Sequence, residues 1–342
     1  PLPEGDQSGH VGTRLDRYRG HEFALGDRPY IDDMVVEGMQ FAAMRFSDHP
    51  RALVKRIDVS AAEAMAGVER VLTAADVPGD RYVGLITNDW PILVAEGEET
   101  RYVGDVLAVV VAHDQRTARK AAETINVEYE VREPVTTPED GLLPDAPKVH
   151  GKGNLLSRSA IERGDVEKAL ADSAHVEEGY YVTQHIEHLF LEPESCIARP
   201  EGKNGGTQGL YIYTQGQGVF DDRRQIASVL GWDQDRISVE LVSNGGAFGG
   251  KEDMSIQGQV SLAAALCGVP IKCTLTREES MRLHPKRHPI HLRLKMGCDA
   301  EGHLTALHGR IIGDKGAYAS VGAKVLERAA GHATGPYKFP SV

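Results

Sequence analysis

At 342 residues and 41% hydrophobic content, the chain can bury a substantial core and has the length of two domains rather than one. Its 50 acidic and 38 basic residues, a net charge of -12, argue against nucleic acid or an anionic membrane as a main partner, because either needs a concentrated positive field. No run reaches the roughly 18 apolar residues of a membrane span, and the opening PLPEGDQSGHVGTR lacks a signal-peptide core, so the expectation is a cytoplasmic protein with no membrane contact.

The first region carries two strand–helix–strand patterns. Leu53 to Val59 reads as a strand, and Ser60 with Glu63 has capping-box spacing before an alanine-rich turn at Ala61 to Ala66. A strand at Val68 to Leu72 follows. Val106 to Ala112 is a continuous apolar run, the pattern of a strand covered on both faces. Asp114 can then cap a helix whose Ala118, Ala121, Ala122 and Ile125 form one apolar stripe. Val127, Tyr129 and Val131 alternate with Glu128 and Glu130, which predicts another strand.

Between residues 132 and 160 the periodicity fails and prolines and glycines punctuate the chain, which places a boundary there. Strand patterns resume at His175 to Val182, Leu210 to Tyr213 and Ile237 to Val242. Val219 to Leu230 reads as a helix closed by Gly231, and Met254 to Cys267 as a second helix closed by Gly268. Cys196, Cys267, Cys273 and Cys298 form no C-x-x-C pair and read as reduced core residues rather than a zinc or iron–sulfur site.

Between the strand at Ile237 and the helix lies Asn244-Gly245-Gly246-Ala247-Phe248-Gly249-Gly250-Lys251-Glu252. Glycine lets backbone approach a ligand without a Cβ, and free N–H groups near a helix start favour negative charge, so the loop is a candidate anion cradle. Gly245 to Lys251 matches the first seven positions of a phosphate-binding P-loop. The next residue should be Ser or Thr, and Glu252 would instead repel phosphate. On composition alone, a flexible turn made by the four glycines is the first reading of this loop.

GGAFGGKE also resembles the loop of the xanthine dehydrogenase and aldehyde oxidase family of molybdenum hydroxylases, especially its xanthine-oxidising branch. The segment 101–110, RYVGDVLAVV, resembles that family's hammerhead-domain strand. Glu192-Pro193-Glu194 resembles its E-P element and Thr214-Gln215-Gly216-Gln217 its T-Q element. Arg287-His288-Pro289 and Gly335-Pro336-Tyr337 match two further signatures. The resemblance implies an α+β chain of mixed α/β character: a linker at 1–26, an α/β-hammerhead domain at 27–131, a linker at 132–160, and the incomplete first molybdopterin-binding domain at 161–342.

It further implies a molybdenum–molybdopterin cofactor, as such or as the cytosine dinucleotide, held through the pterin with no side chain ligating the metal. Gln215 would set its amide N–H near the molybdenum oxo ligand, Phe248 and Gly249 would supply backbone contacts, and Gly250 would keep the approach open. Glu252 would hydrogen-bond a heterocyclic substrate, since the purine-oxidising branch has glutamate there where aldehyde oxidisers carry an apolar residue. No catalytic residue is expected in this chain: the family's general-base glutamate and its A-F-R-G-F-G segment belong to a C-terminal molybdopterin-binding portion or subunit. Iron–sulfur clusters and FAD are expected on partner domains or subunits. Hydroxylation of other small heterocycles or aldehydes, or a non-catalytic scaffold half, are the alternatives.

Two charged clusters remain. His185, Glu187, His188, Glu192 and Glu194 lack the H-E-x-x-H spacing of zinc proteases, and strand alternation would send His185 and His188 to opposite faces, so a structural strand and turn is expected. Lys286, Arg287 and His288, with Arg282, form a basic run that could meet an acidic partner surface, but a solvated face is the expectation.

Overall fold

The computed structural model describes residues 17, 19–202 and 207–342; positions 1–16 and 18, most of the expected N-terminal linker, lie outside the described residues. The apolar run Val106–Ala112 is a strand buried at every position, between the antiparallel strands Gln40–Phe46 and Val68–Leu72. Asp114 caps the helix Gln115–Thr124 by accepting from the Thr117 N–H, and that helix buries Ala118, Ala121 and Ala122. Both outcomes follow from apolar periodicity plus one capping carboxylate.

These strands belong to a seven-stranded sheet ordered 237–241, 209–214, 195–201, 271–274, 40–46, 106–112, 68–72. The sheet runs unbroken across the segment 132–160 in the sequence: Gln40–Phe46 lies parallel to Ile271–Thr274, with Gln40 opposite Ile271. Apolar residues from both sides of that segment, such as Val109, Ile212 and Val260, pack into one core cluster. A separate three-stranded sheet joins Leu304–Gly313, Ile290–Cys298 and His175–Val182 in that order.

Local expectations meet four corrections. Ser60 lies inside the helix Ser60–Glu63 and caps nothing; its Oγ donates to Asp58 Oδ1 at 2.6 Å, a local bond that displaces the capping box. The second helix begins at Gln257, not Met254, because Gln257 Oε1 folds back to accept the Ser255 and Ile256 N–H groups at 2.9 and 3.0 Å. The strand from His175 ends at Val182, so alternation does not govern His185 and His188. The basic run is not simply solvated: Arg282 donates to the carbonyls of Ser47 and Val103, and Lys286 Nζ lies 3.0 Å from Glu187.

Candidate functional site

Sheet register creates the site. The strands Gly209–Thr214 and Ile237–Leu241 are parallel, with Thr214 opposite Leu241, and the helix Val219–Leu230 makes the crossover between them. Both chains therefore leave the sheet side by side at their carboxyl ends, where open α/β sheets bind ligands. The antiparallel neighbour Ser195–Glu201 enters at the same edge, since Cys196 faces Thr214, and this delivers Glu192 to Glu194. Three segments distant in sequence converge: 192–194, 214–217 and 243–252.

They interlock through polar clasps. Glu192 Oε2 accepts the Gly245 N–H at 2.6 Å. Asn244 donates its amide to the Gln215 carbonyl and accepts the Gly246 N–H at 2.8 Å. Gln217 Oε1 accepts from Gly249 at 2.9 Å and from Lys251 at 3.4 Å, while the Gln217 N–H returns a bond to the Lys251 carbonyl at 2.9 Å. Thr214 Oγ1 is a buried hub that accepts from Gly216 N and Gln257 Nε2, both at 3.0 Å, and donates to Asp222. Burial holds the Asp222 carboxyl up at about 7 against this hydrogen bond.

Two backbone positions demand unusual conformations. Gly249 has φ 91°, which favours glycine, and Phe248, 68% exposed, has φ 52°. Such conformations in non-glycine residues cluster at ligand-binding segments. At Gly250 the required close approach is to the protein itself, because a Cβ there would meet the His188 ring and Phe190 at 3.0 Å.

Lys251 turns inward. It is 2% exposed, and its Nζ donates to the Glu192 carbonyl at 2.8 Å and to Gln215 Oε1, over the face of the Phe190 ring at 4.3 Å. Burial pulls its ammonium down to about 8, against the stabilising Glu192 and Glu194 carboxylates. Glu252 is exposed instead. It lies in a bend five residues before the helix that starts at Gln257, so the dipole of that helix does not account for it.

Of the sequence-expected site residues, the fold thus gathers Gln215, Phe248, Gly249, Gly250 and Glu252 at one sheet edge. The clasps by Glu192, Asn244, Gln217 and Lys251 were invisible in the sequence, because each acts through a partner tens of residues away. Part of the His185–Glu194 cluster meets His284. The His284 ring, fully buried, lies between Glu187 at 2.5 Å and Glu194 at 3.2 Å, and among the described residues no metal-ligating grouping forms there.

A polyanionic pterin bearing a metal centre needs hydrogen-bond donors, and the site provides them, although the space at Gly250 is taken by His188 and Phe190 rather than kept open. Among the described residues the N–H groups of Ala247 and Phe248 have no protein acceptor. Gln215 Nε2 spends one N–H on the Pro193 carbonyl at 3.0 Å and keeps a second. The residues present fit such a group. A cavity of about 1660 Å³ lies elsewhere, lined by residues such as Arg101, His150, Arg163 and Lys315, and no glycine-loop residue lines it.

Two family models and several relatives match this chain. Residues 149–342 match the molybdopterin cofactor-binding domain model, and residues 25–133 match the a/b hammerhead domain of aldehyde oxidase and xanthine dehydrogenase. The chain is 36% identical over 94% of its length to a probable xanthine dehydrogenase component of Bacillus subtilis, of which it spans 43%. It is 34% identical over 94% of its length to the nicotinate dehydrogenase large molybdopterin subunit of Eubacterium barkeri, spanning 74% of that protein. In structure it resembles the aldehyde oxidoreductase of Desulfovibrio gigas with a TM-score of 0.90 at 26% identity, over 96% of this chain and 37% of that one.

Proposed function

This chain belongs to the aldehyde oxidase and xanthine dehydrogenase family of molybdenum hydroxylases, and from that membership we propose that it is part of the catalytic molybdenum subunit of a xanthine-dehydrogenase-like hydroxylase acting on purines or related N-heterocycles. When bound, the molybdenum–molybdopterin cofactor supplies the two-electron oxidation with water as the oxygen source. The chain's own residues bind and orient. The free N–H groups of Ala247 and Phe248 approach the cofactor beside Gly249, whose own N–H is held by Gln217, and Gln215 donates its remaining amide N–H to it, a neutral donor that leaves the metal's charge unaltered. A C-terminal molybdopterin-binding portion completes the site and carries the general base, and iron–sulfur and FAD modules take the electrons.

Glu252 is the observation that carries the substrate class. Its carboxylate is exposed while its neighbour Lys251 is buried, so the acidic group faces outward from a donor-rich loop and can accept from a ring N–H. The relative of which this chain covers the larger share is named for nicotinate, a pyridine carboxylate, and this favours a pyridine-type heterocycle as the second reading.

The test is metal analysis of the complete complex followed by a panel of xanthine, hypoxanthine, nicotinate and simple aldehydes. Molybdenum should be present and a heterocycle turned over. Glu252→Ala should lower kcat/KM for that heterocycle by roughly 100-fold, about 2.7 kcal/mol of transition-state binding, with molybdenum content unchanged. Unchanged heterocycle kinetics would end the role of Glu252; turnover of aldehydes alone would favour an aldehyde hydroxylase, and a metal-free complex a scaffold half.

A further inference from the structure

We propose that Lys251 is a positioning residue whose buried ammonium fixes the flip of the Gln215 amide and so decides that this side chain offers the cofactor a donor rather than an acceptor. The inference rests on the assignment of Gln215 to the cofactor made above. In the sequence this lysine completes a near P-loop, and such a lysine would reach outward to phosphate; here it is withdrawn beneath the loop.

The geometry leaves the amide one orientation. Lys251 has three N–H groups and no acceptor while charged, and they meet the Glu192 carbonyl, Gln215 Oε1 and the π-face of Phe190. On its other side the Gln215 amide meets the Pro193 carbonyl, an acceptor, at 3.0 Å. Rotating the amide by half a turn would set its NH2 against the ammonium and its oxygen against that carbonyl. Both contacts would become repulsive in a buried place where water cannot rescue unmatched polar groups. The carbonyl oxygen is therefore committed to Lys251, and the group left over on Gln215 is an N–H. Gln215 is itself 1% exposed, so solvent cannot substitute for the lysine. Asn244 holds the Gln215 backbone but touches neither amide atom, so the flip depends on Lys251 and Pro193 alone.

The experiment uses the complete cofactor-loaded complex carrying Lys251→Met, Lys251→Gln, Gln215→Leu, and the Lys251→Met/Gln215→Leu pair. Molybdenum per protein and the g-values of the Mo(V) electron paramagnetic resonance signal are read beside kcat and KM. Lys251→Met should retain molybdenum, shift the g-values in the same direction as Gln215→Leu, and lower kcat at least tenfold with KM little changed. The pair should show no further shift, and Lys251→Gln, which keeps a donor, should keep the wild-type signal. A wild-type signal in Lys251→Met, or shifts that sum in the pair, would overturn the proposal. If Lys251→Met does not load metal, Lys251→Gln decides: a wild-type signal supports positioning, whereas an altered signal or loss of metal there as well marks a merely structural lysine. Gln215→Leu with unaltered signal and kcat would defeat the assignment of Gln215 to the cofactor and this inference with it. A shift in Gln215→Leu alone would defeat only the role of Lys251.

Discussion

The strand Val106–Ala112 and the loop 244–252 are held by opposite kinds of force. The strand buries seven apolar residues between two antiparallel neighbours, and its position follows from removing area from water. The loop is held instead by specific donors and acceptors: Glu192 and Gln217 from other segments accept its N–H groups, and its own Asn244 and Lys251 bond within it and back to Glu192. Apolar burial tolerates small displacements, whereas a buried polar contact is either made or leaves a costly orphan. The loop is thus the place where single-atom changes should alter chemistry more than stability.

The largest expected effect sharpens the polar side of that contrast. Asp222 is buried against Thr214 with its pKa raised from 3.8 to about 7, so the unfolded chain releases this proton first as pH rises. Stability should therefore fall between about pH 4 and 7 from this group, by as much as a few kcal/mol at roughly 1.4 kcal/mol for each pH step of one. Asp222→Asn should flatten that slope in denaturant titrations run across the range; an unchanged slope would show that the carboxyl is not held protonated. On the apolar side, Leu107→Ala in the fully buried strand should cost about 3 kcal/mol, seen as a lower unfolding midpoint, with molybdenum per folded molecule unchanged. Loss of metal in that variant would break the separation between the two regions.

Gln217→Ala should cost less, about 2 kcal/mol, because it strips Gly249 and Lys251 of their N–H acceptor, yet it should lower cofactor content. Full loading in that variant would mean that the clasp does not shape the loop. Asp114→Ala removes only a helix cap and should cost about 1 kcal/mol with no effect on loading or turnover, measured in the same assays.

Legibility in the sequence follows the same division. The strands at Val68–Leu72 and Val106–Ala112 and the helices Gln115–Thr124 and Val219–Leu230 were readable because period, cap and terminal glycine are all local. Gly231 closes its helix at φ 64° as such a glycine should. The loop was recognisable for the same reason, since its glycines, phenylalanine, lysine and glutamate are contiguous. Its inner side was not. Nothing in GGAFGGKE says that Lys251 points inward, because that depends on Phe190 and Glu192, which the sheet brings to it from about sixty residues away. The helix start was misplaced at Met254 because Gln257 satisfies the preceding N–H groups by turning back on itself, an arrangement that periodicity does not register.

By itself, the sequence determined the family, the mixed α/β class and the residues of the glycine loop itself, because those are properties of contiguous patterns. Only the tertiary structure decided which of its residues are buried and which stay exposed. Parallel register between Thr214 and Leu241 sets the two site segments side by side. Burial then sends Lys251 beneath the loop and leaves Glu252 outside, since an ammonium enters a low-dielectric interior only where carbonyls and a ring already wait for it.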